Sequence, residues 1–138
     1  MTKLFALTAA ALMVSSTASF AAGDAVAGEK GFNKCKSCHM IVDGDNTIVK
    51  GGKTGPNLYG IMGTAIASGD FKFGAGISSV AEANPDMVWT EELVAEYVVD
   101  PNAFITTYGG NGKSKMTFKL KKGGEDVAAY LASVAPAQ

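Results

Sequence analysis

Cys35-Lys36-Ser37-Cys38-His39 places two thiols and an imidazole within five consecutive residues. Two cysteines three positions apart, with a histidine directly behind the second, form the attachment signature of a c-type haem. Each thiol of such a pair adds across one porphyrin vinyl group, and the adjacent imidazole lies against the iron as an axial ligand. The chain holds no other cysteine and no other histidine, so chemistry of these types rests on this motif alone. Two other readings compete. A Cys35–Cys38 disulfide would close a tiny loop and restrain the unfolded chain little. A thiol oxidoreductase motif belongs after a strand in a βαβ setting, whereas here a helical pattern precedes it and loop residues follow.

An axial imidazole usually donates its second ring N–H to a carbonyl or carboxylate. The turn Thr54-Gly55-Pro56-Asn57-Leu58 is the candidate, through the Pro56 carbonyl, because proline holds such a turn rigid. The opposite face of the metal carries a ligand or stays open. Met40 follows His39 too closely to reach round the ring, and Met62 and Met87 stand in apolar settings where packing explains them. Met116 lies in the lysine-flanked run Lys113-Ser114-Lys115-Met116-Thr117-Phe118, where a thioether has little reason to be without a partner. It is the candidate distal ligand. Thioether ligation favours Fe(II) and raises the reduction potential relative to bis-histidine or thiolate ligation.

The residues that position these groups fall into one domain. Residues 1–21 read as a cleaved secretory signal peptide: Lys3, a run over Leu4–Val14 apolar except for Thr8, then the small-residue stretch Ser15–Ala22, with cleavage expected after Ala21. The run is too short for a membrane anchor. Residues 22–138 remain as a single exported domain. Asp24 caps an expected helix running to about Lys34, in which Gly28 implies the close approach of another backbone. Val127, Tyr130, Leu131 and Val134 form a buried stripe on a final helix that begins near Glu125 and Asp126 and crosses the first. A third helix is expected over Glu91–Val99, capped by Thr90 and stopped by Asp100-Pro101, with a short helical turn at Ile77–Ala83. Between them, Met40–Tyr59 and Ile105–Leu120 read as long glycine-rich loops, with no convincing alternating strand. Such loops need something to wrap.

Charge is nearly balanced, at −1 overall, and the chain has no arginine. Lys113, Lys115, Lys119, Lys121 and Lys122 gather near the methionine, with Lys34 and Lys36 beside the haem motif; acids gather over Glu82–Asp100. A solvated surface explains any single lysine, but the one-sign cluster makes a dipole able to orient a partner. Nucleic acid is excluded by the absence of net positive charge, of arginine and of any nucleic-acid motif.

Together, Phe32, Cys35–His39, Lys53-Thr54-Gly55-Pro56-Asn57-Leu58-Tyr59-Gly60, Trp89-Thr90-Glu91-Glu92, Tyr97, Asp100-Pro101, Lys115-Met116-Thr117-Phe118 and Tyr130-Leu131 closely resemble class I cytochromes c, with bacterial cytochrome c2 as the nearest branch. The resemblance spans essentially all of residues 22–138. It implies an all-α class I cytochrome c fold, with crossed terminal helices, a helix near 91–99 and long loops wrapping one haem. It implies thioether links at Cys35 and Cys38, axial ligands at His39 and Met116, and a histidine-holding carbonyl at Pro56. It puts Trp89 near a haem propionate and Tyr97 beside the methionine; from the residues alone both would be core aromatics. Thr64 stands where many relatives carry a propionate-facing arginine, and Phe73 replaces a propionate-binding tyrosine.

The function this implies is that of a soluble, monomeric, periplasmic one-electron carrier cycling Fe(III)/Fe(II) haem c, and not an enzyme. Its donor would be a bc1-type complex, its acceptor a photosynthetic reaction centre or terminal oxidase. Lys36, Lys113, Lys115, Lys119, Lys121 and Lys122 would dock on acidic faces of those complexes. A haem enzyme or gas sensor would instead need Met116 to be merely structural or displaceable.

Overall fold

The computed structural model describes residues 22–136, so the expected leader over 1–21 lies outside the described residues. Asp24 opens α1 (Ala25–Phe32), its carboxylate accepting from the backbone N–H of Val26 at 2.8 Å and Ala27 at 3.2 Å. The final helix, α5 (Gly124–Ser133), carries Glu125 and Asp126 in its first turn and buries Val127, Ala128, Tyr130 and Leu131. The two helices touch at Gly28. A Cβ there would stand 1.8 Å from the Asp126 carbonyl oxygen and 2.8 Å from Tyr130 Cβ. The close approach expected from the sequence is therefore real, and its partner is α5.

Two further helices stand as expected or nearly so. Glu91–Val99 is helical, with Thr90 Oγ1 accepting from the Leu93 N–H at 3.3 Å. The expected turn at Ile77–Ala83 is the longer helix α2 (Ala75–Ala83), which makes Glu91–Val99 helix α3. The latter buries Val94 and Ala95 and meets α5 so closely that a Cβ at Gly124 would lie 2.9 Å from the Ala95 carbonyl oxygen.

Two features correct the sequence reading. Asp100-Pro101 does end α3, but it also starts another helix, α4 (Pro101–Thr107), whose last residues, 105–107, fall within what was read as loop. Asp100 Oδ1 caps it by accepting from the Asn102 and Ala103 N–H groups, and Pro101 fills the first helical position, where no N–H is needed. The loop Met40–Tyr59 contains an antiparallel hairpin, β1 (Ile41–Asp43) and β2 (Asn46–Val49), joined at Gly44-Asp45. Gly44 has φ 55° at the first turn position, where L side chains are disfavoured. The hairpin is a small addition to a mainly helical fold.

The core runs from Phe32 and Ile41 through Val80, Val94 and Ile105 to Leu131. Within it Trp89 stacks on Phe104 with centroids 5.7 Å apart, and Tyr97 meets both rings edge-on. Met62 and Met87 pack against this core, as their apolar settings implied. Among the described residues no helix is long and apolar enough to cross a membrane.

Candidate haem site

The segment carrying Cys35–His39 leaves α1 in a run of turns, with the His39 N–H donating to the Cys35 carbonyl at 2.9 Å. A second segment is laced along it. Gly52, Gly55 and Leu58 donate their N–H groups to the carbonyls of Lys36, Cys38 and Met40 at 2.9, 2.8 and 3.0 Å. The fit excludes side chains. A Cβ at Gly51 would lie 1.8 Å from the His39 carbonyl oxygen, and one at Gly55 would lie 2.3 Å from His39 Cε1. Asn57 fastens this strap to the hairpin: its Oδ1 accepts from the Val42 N–H at 3.0 Å, and its Nδ2 donates to the Val42 carbonyl at 2.8 Å.

His39 Nδ1 is 2.8 Å from the Pro56 carbonyl oxygen. A carbonyl only accepts, so the proton sits on Nδ1 and Nε2 keeps its lone pair. Burial pushes the imidazole below its ordinary pKa, with the Pro56 carbonyl opposing; the ring is neutral near pH 7, as a metal ligand must be. Burial, first, and Cys38 raise the Cys35 thiol, while Lys34 opposes. The exposed Cys38 is held below the ordinary thiol range by the hydroxyls of Thr54 and Ser37, the latter with Oγ 3.7 Å from Sγ. Both cysteines are free.

These groups line a cavity of about 470 Å³, within the ordinary range for a bound organic group. Cys35, Cys38, His39, Pro56, Trp89, Tyr97 and Met116 all face it, so every residue expected to bind or surround the haem meets in one place. Thr64 and Phe73 line it too. The Thr64 hydroxyl is taken up by the Ile61 carbonyl at 2.7 Å, and Phe73 packs edge-on against Phe71.

Met116 is half-buried, and its N–H donates to Ser114 Oγ at 3.0 Å. Ser114 is a buried polar residue, only 8 % exposed, in a loop of exposed neighbours. Its own N–H donates to Asn102 Oδ1 at 2.9 Å, and its Oγ is 3.0 Å from the Tyr97 hydroxyl. Tyr97 thus reaches the methionine's backbone through a serine. Burial raises its phenol above the usual pKa, against the pull of Ser114. Ser114 was not singled out in the sequence; its place between two lysines, two residues before the methionine, was the available signal.

Of the lysines expected to dock, Lys115 lines the cavity mouth along with Lys34. The Lys115 stem lies against Gly74, where a Cβ would come within 2.7 Å of its Cγ. Lys119 is bonded to Asp100 Oδ2 at 2.6 Å, so its charge is partly answered within the chain. Lys36, Lys113, Lys121 and Lys122 are exposed and do not line the cavity.

No protein-family model matches the chain. It is 58% identical over 118 residues to cytochrome c-550 of Paracoccus pantotrophus, covering 83% of this chain and 88% of that protein. It is 55% identical over 135 residues to cytochrome c2 of Rhodobacter capsulatus, covering 95% and 96%. The chain belongs to the class I cytochromes c, among the cytochromes c2 and c-550. The crystal structure of ferric cytochrome c-550 from Paracoccus versutus superposes with a TM-score of 0.79 at 58% identity, over 83% of this chain and 99% of that one. The fold is accordingly the class I cytochrome c fold, and the chain is an electron-carrying cytochrome whose family implies haem c.

The residues present fit that group. The free cysteine pair has the required spacing, the neutral imidazole has its proton fixed on the far nitrogen, and the largely apolar cavity collects both with a thioether.

Proposed function

We propose that this cytochrome is a soluble, monomeric, periplasmic one-electron shuttle between membrane redox complexes, and not an enzyme. The observation that carries the reading is His39, held through Nδ1 by Pro56, facing the same cavity as Cys35, Cys38 and Met116. Cys35 and Cys38 would hold haem c through their sulfurs, and His39 Nε2 and Met116 Sδ would supply the iron's protein ligands. When bound, haem c supplies an Fe(III)/Fe(II) couple. The chain's residues do the rest. Pro56 orients the imidazole and keeps it basic, Ser114 and Tyr97 hold the methionine loop, and Trp89, Phe32 and Leu131 keep the cavity dry.

Residues 1–21 act as a leader, cleaved after Ala21, that delivers the domain of 22–138 to the periplasm. The exposed lysines Lys36, Lys113, Lys121 and Lys122, with Lys115 at the cavity mouth and Lys119 beside Asp100, steer it to acidic faces. A bc1-type complex is the donor, a photosynthetic reaction centre or terminal oxidase the acceptor. Small transient interfaces permit release after transfer.

The test is made on the exported, haem-loaded protein. Haem should stay on the polypeptide through acid-acetone extraction, and the reduced spectrum should be unmoved by carbon monoxide at neutral pH. A carbon monoxide shift would overturn the two-ligand reading in favour of an open-faced haem protein.

A further inference from the structure

Asn111 and Gly112 stand in the exposed stretch between α4 and Met116, and they are held in an unusual way. The Asn111 N–H donates to Ser79 Oγ on α2 at 2.8 Å, and the same Ser79 hydroxyl lies 3.0 Å from the Asn111 carbonyl oxygen. Among the described residues, the Asn111 side-chain amide and the Gly112 N–H make no hydrogen bond. The backbone is pinned while the two groups able to react with each other are left free.

We propose that Asn111 is a self-deamidation site assisted by Ser79. The Gly112 peptide nitrogen, having given up its proton to solvent, attacks Asn111 Cγ. A C–N bond forms, the Cγ–Nδ2 bond breaks, and ammonia leaves with a proton from water. Water then opens the resulting cyclic imide at either carbonyl, giving aspartate or isoaspartate. The difficult species is the anion of the Asn111–Gly112 peptide, whose charge rests largely on the Asn111 carbonyl oxygen. Ser79 is placed to meet that charge. Its single hydroxyl proton has two acceptors within reach, the Gly76 carbonyl at 2.7 Å and the Asn111 carbonyl at 3.0 Å. As charge develops, the proton swings to the second, and a hydrogen bond to an ionised acceptor is the stronger kind. Gly112 adds no side chain to obstruct ring closure.

The other asparagines lack this arrangement. Asn33, Asn57, Asn84 and Asn102 use their side-chain amides in hydrogen bonds, and Asn46 precedes the β-branched Thr47. The product adds a negative charge two residues from Lys113, and the isoaspartate form lengthens the main chain between the Ser79 contact and Ser114.

The experiment ages the haem-loaded protein at fixed pH and temperature, follows the gain in mass on exchange of NH₂ for OH by peptide mapping, and labels isoaspartate enzymatically. Conversion should occur first at Asn111 and be absent from Asn111→Gln. In Ser79→Ala, shown to be folded by its unchanged visible spectrum, conversion should slow about ten- to a hundredfold, the worth of one hydrogen bond to a charged group. Earlier conversion at another asparagine overturns the site. Conversion in Ser79→Ala as fast as in the parent overturns the assistance.

Discussion

Gly55→Ala puts a methyl group where the His39 ring now lies. The added Cβ would be 2.3 Å from Cε1 and 2.7 Å from both ring nitrogens. The Gly55 N–H is anchored to the Cys38 carbonyl at 2.8 Å, so the strap yields little and the ring must retreat by about 1 Å to reach ordinary contact. That movement stretches the 2.8 Å contact between Nδ1 and the Pro56 carbonyl out of hydrogen-bonding range. A neutral hydrogen bond is worth about 0.5–1.5 kcal/mol. With haem bound as proposed, its loss would make the imidazole a poorer donor to Fe(III) and raise the reduction potential. At about 59 mV per tenfold for a one-electron couple, the expected rise is about 20–65 mV. Potentiometric titration of the haem-loaded variant gives the number, and nuclear magnetic resonance of the ring N–H reports whether the bond has gone. An unchanged potential together with a retained ring N–H signal would refute the account of how the strap orients His39.

Gly28→Ala should destabilise the protein even though alanine favours helix by about 1 kcal/mol, because the new Cβ meets backbone and a rooted side-chain atom rather than a flexible tip. Thermal unfolding should start lower; a rise in melting temperature would contradict the α1–α5 contact. Lys115→Glu should slow second-order oxidation by isolated membranes most at low ionic strength, with the difference closing as salt is added, whereas equal slowing at every ionic strength would refute steering. The Asp100 carboxyl is held below its ordinary pKa first by Lys119, then by the α4 N–H groups. Stability from a lowered carboxyl is present above about pH 4, the unfolded value, and is lost as pH falls through the folded pKa. Asp100→Asn, which still caps α4, should therefore unfold more easily at neutral pH and converge with the parent in acid; parallel curves down to the lowest pH would exclude the contribution.

Much of the frame was legible because single residues announced it. Asp24 and Thr90 cap the helices they were expected to cap, and Gly28 marked a contact with a residue about a hundred positions away. The haem motif and its proline turn were legible for the same reason: their chemistry fixes spacing. Helix α4 was hidden because Asp100-Pro101 carries both a stop and a start signal, and only the direction of the Asp100 side chain separates them. The hairpin was hidden because β2 is exposed along most of its length and shows no alternation. Ser114 was hidden because a serine in a lysine-rich loop has no pattern of its own. It matters only once Tyr97, Asn102 and Met116 are brought around it.

The bond from the Asp24 N–H to Asp126 Oδ1 spans 102 positions and ties the opening of α1 to the opening of α5. A ribosome delivers Cys35 and Cys38 long before it delivers Met116, Leu131 or the helix that closes over them. Until then the cavity that Cys35 and Cys38 line lacks its closing wall, and local contacts alone cannot finish the fold. The cavity that both thiols line therefore closes only when the last helix of the chain is in place.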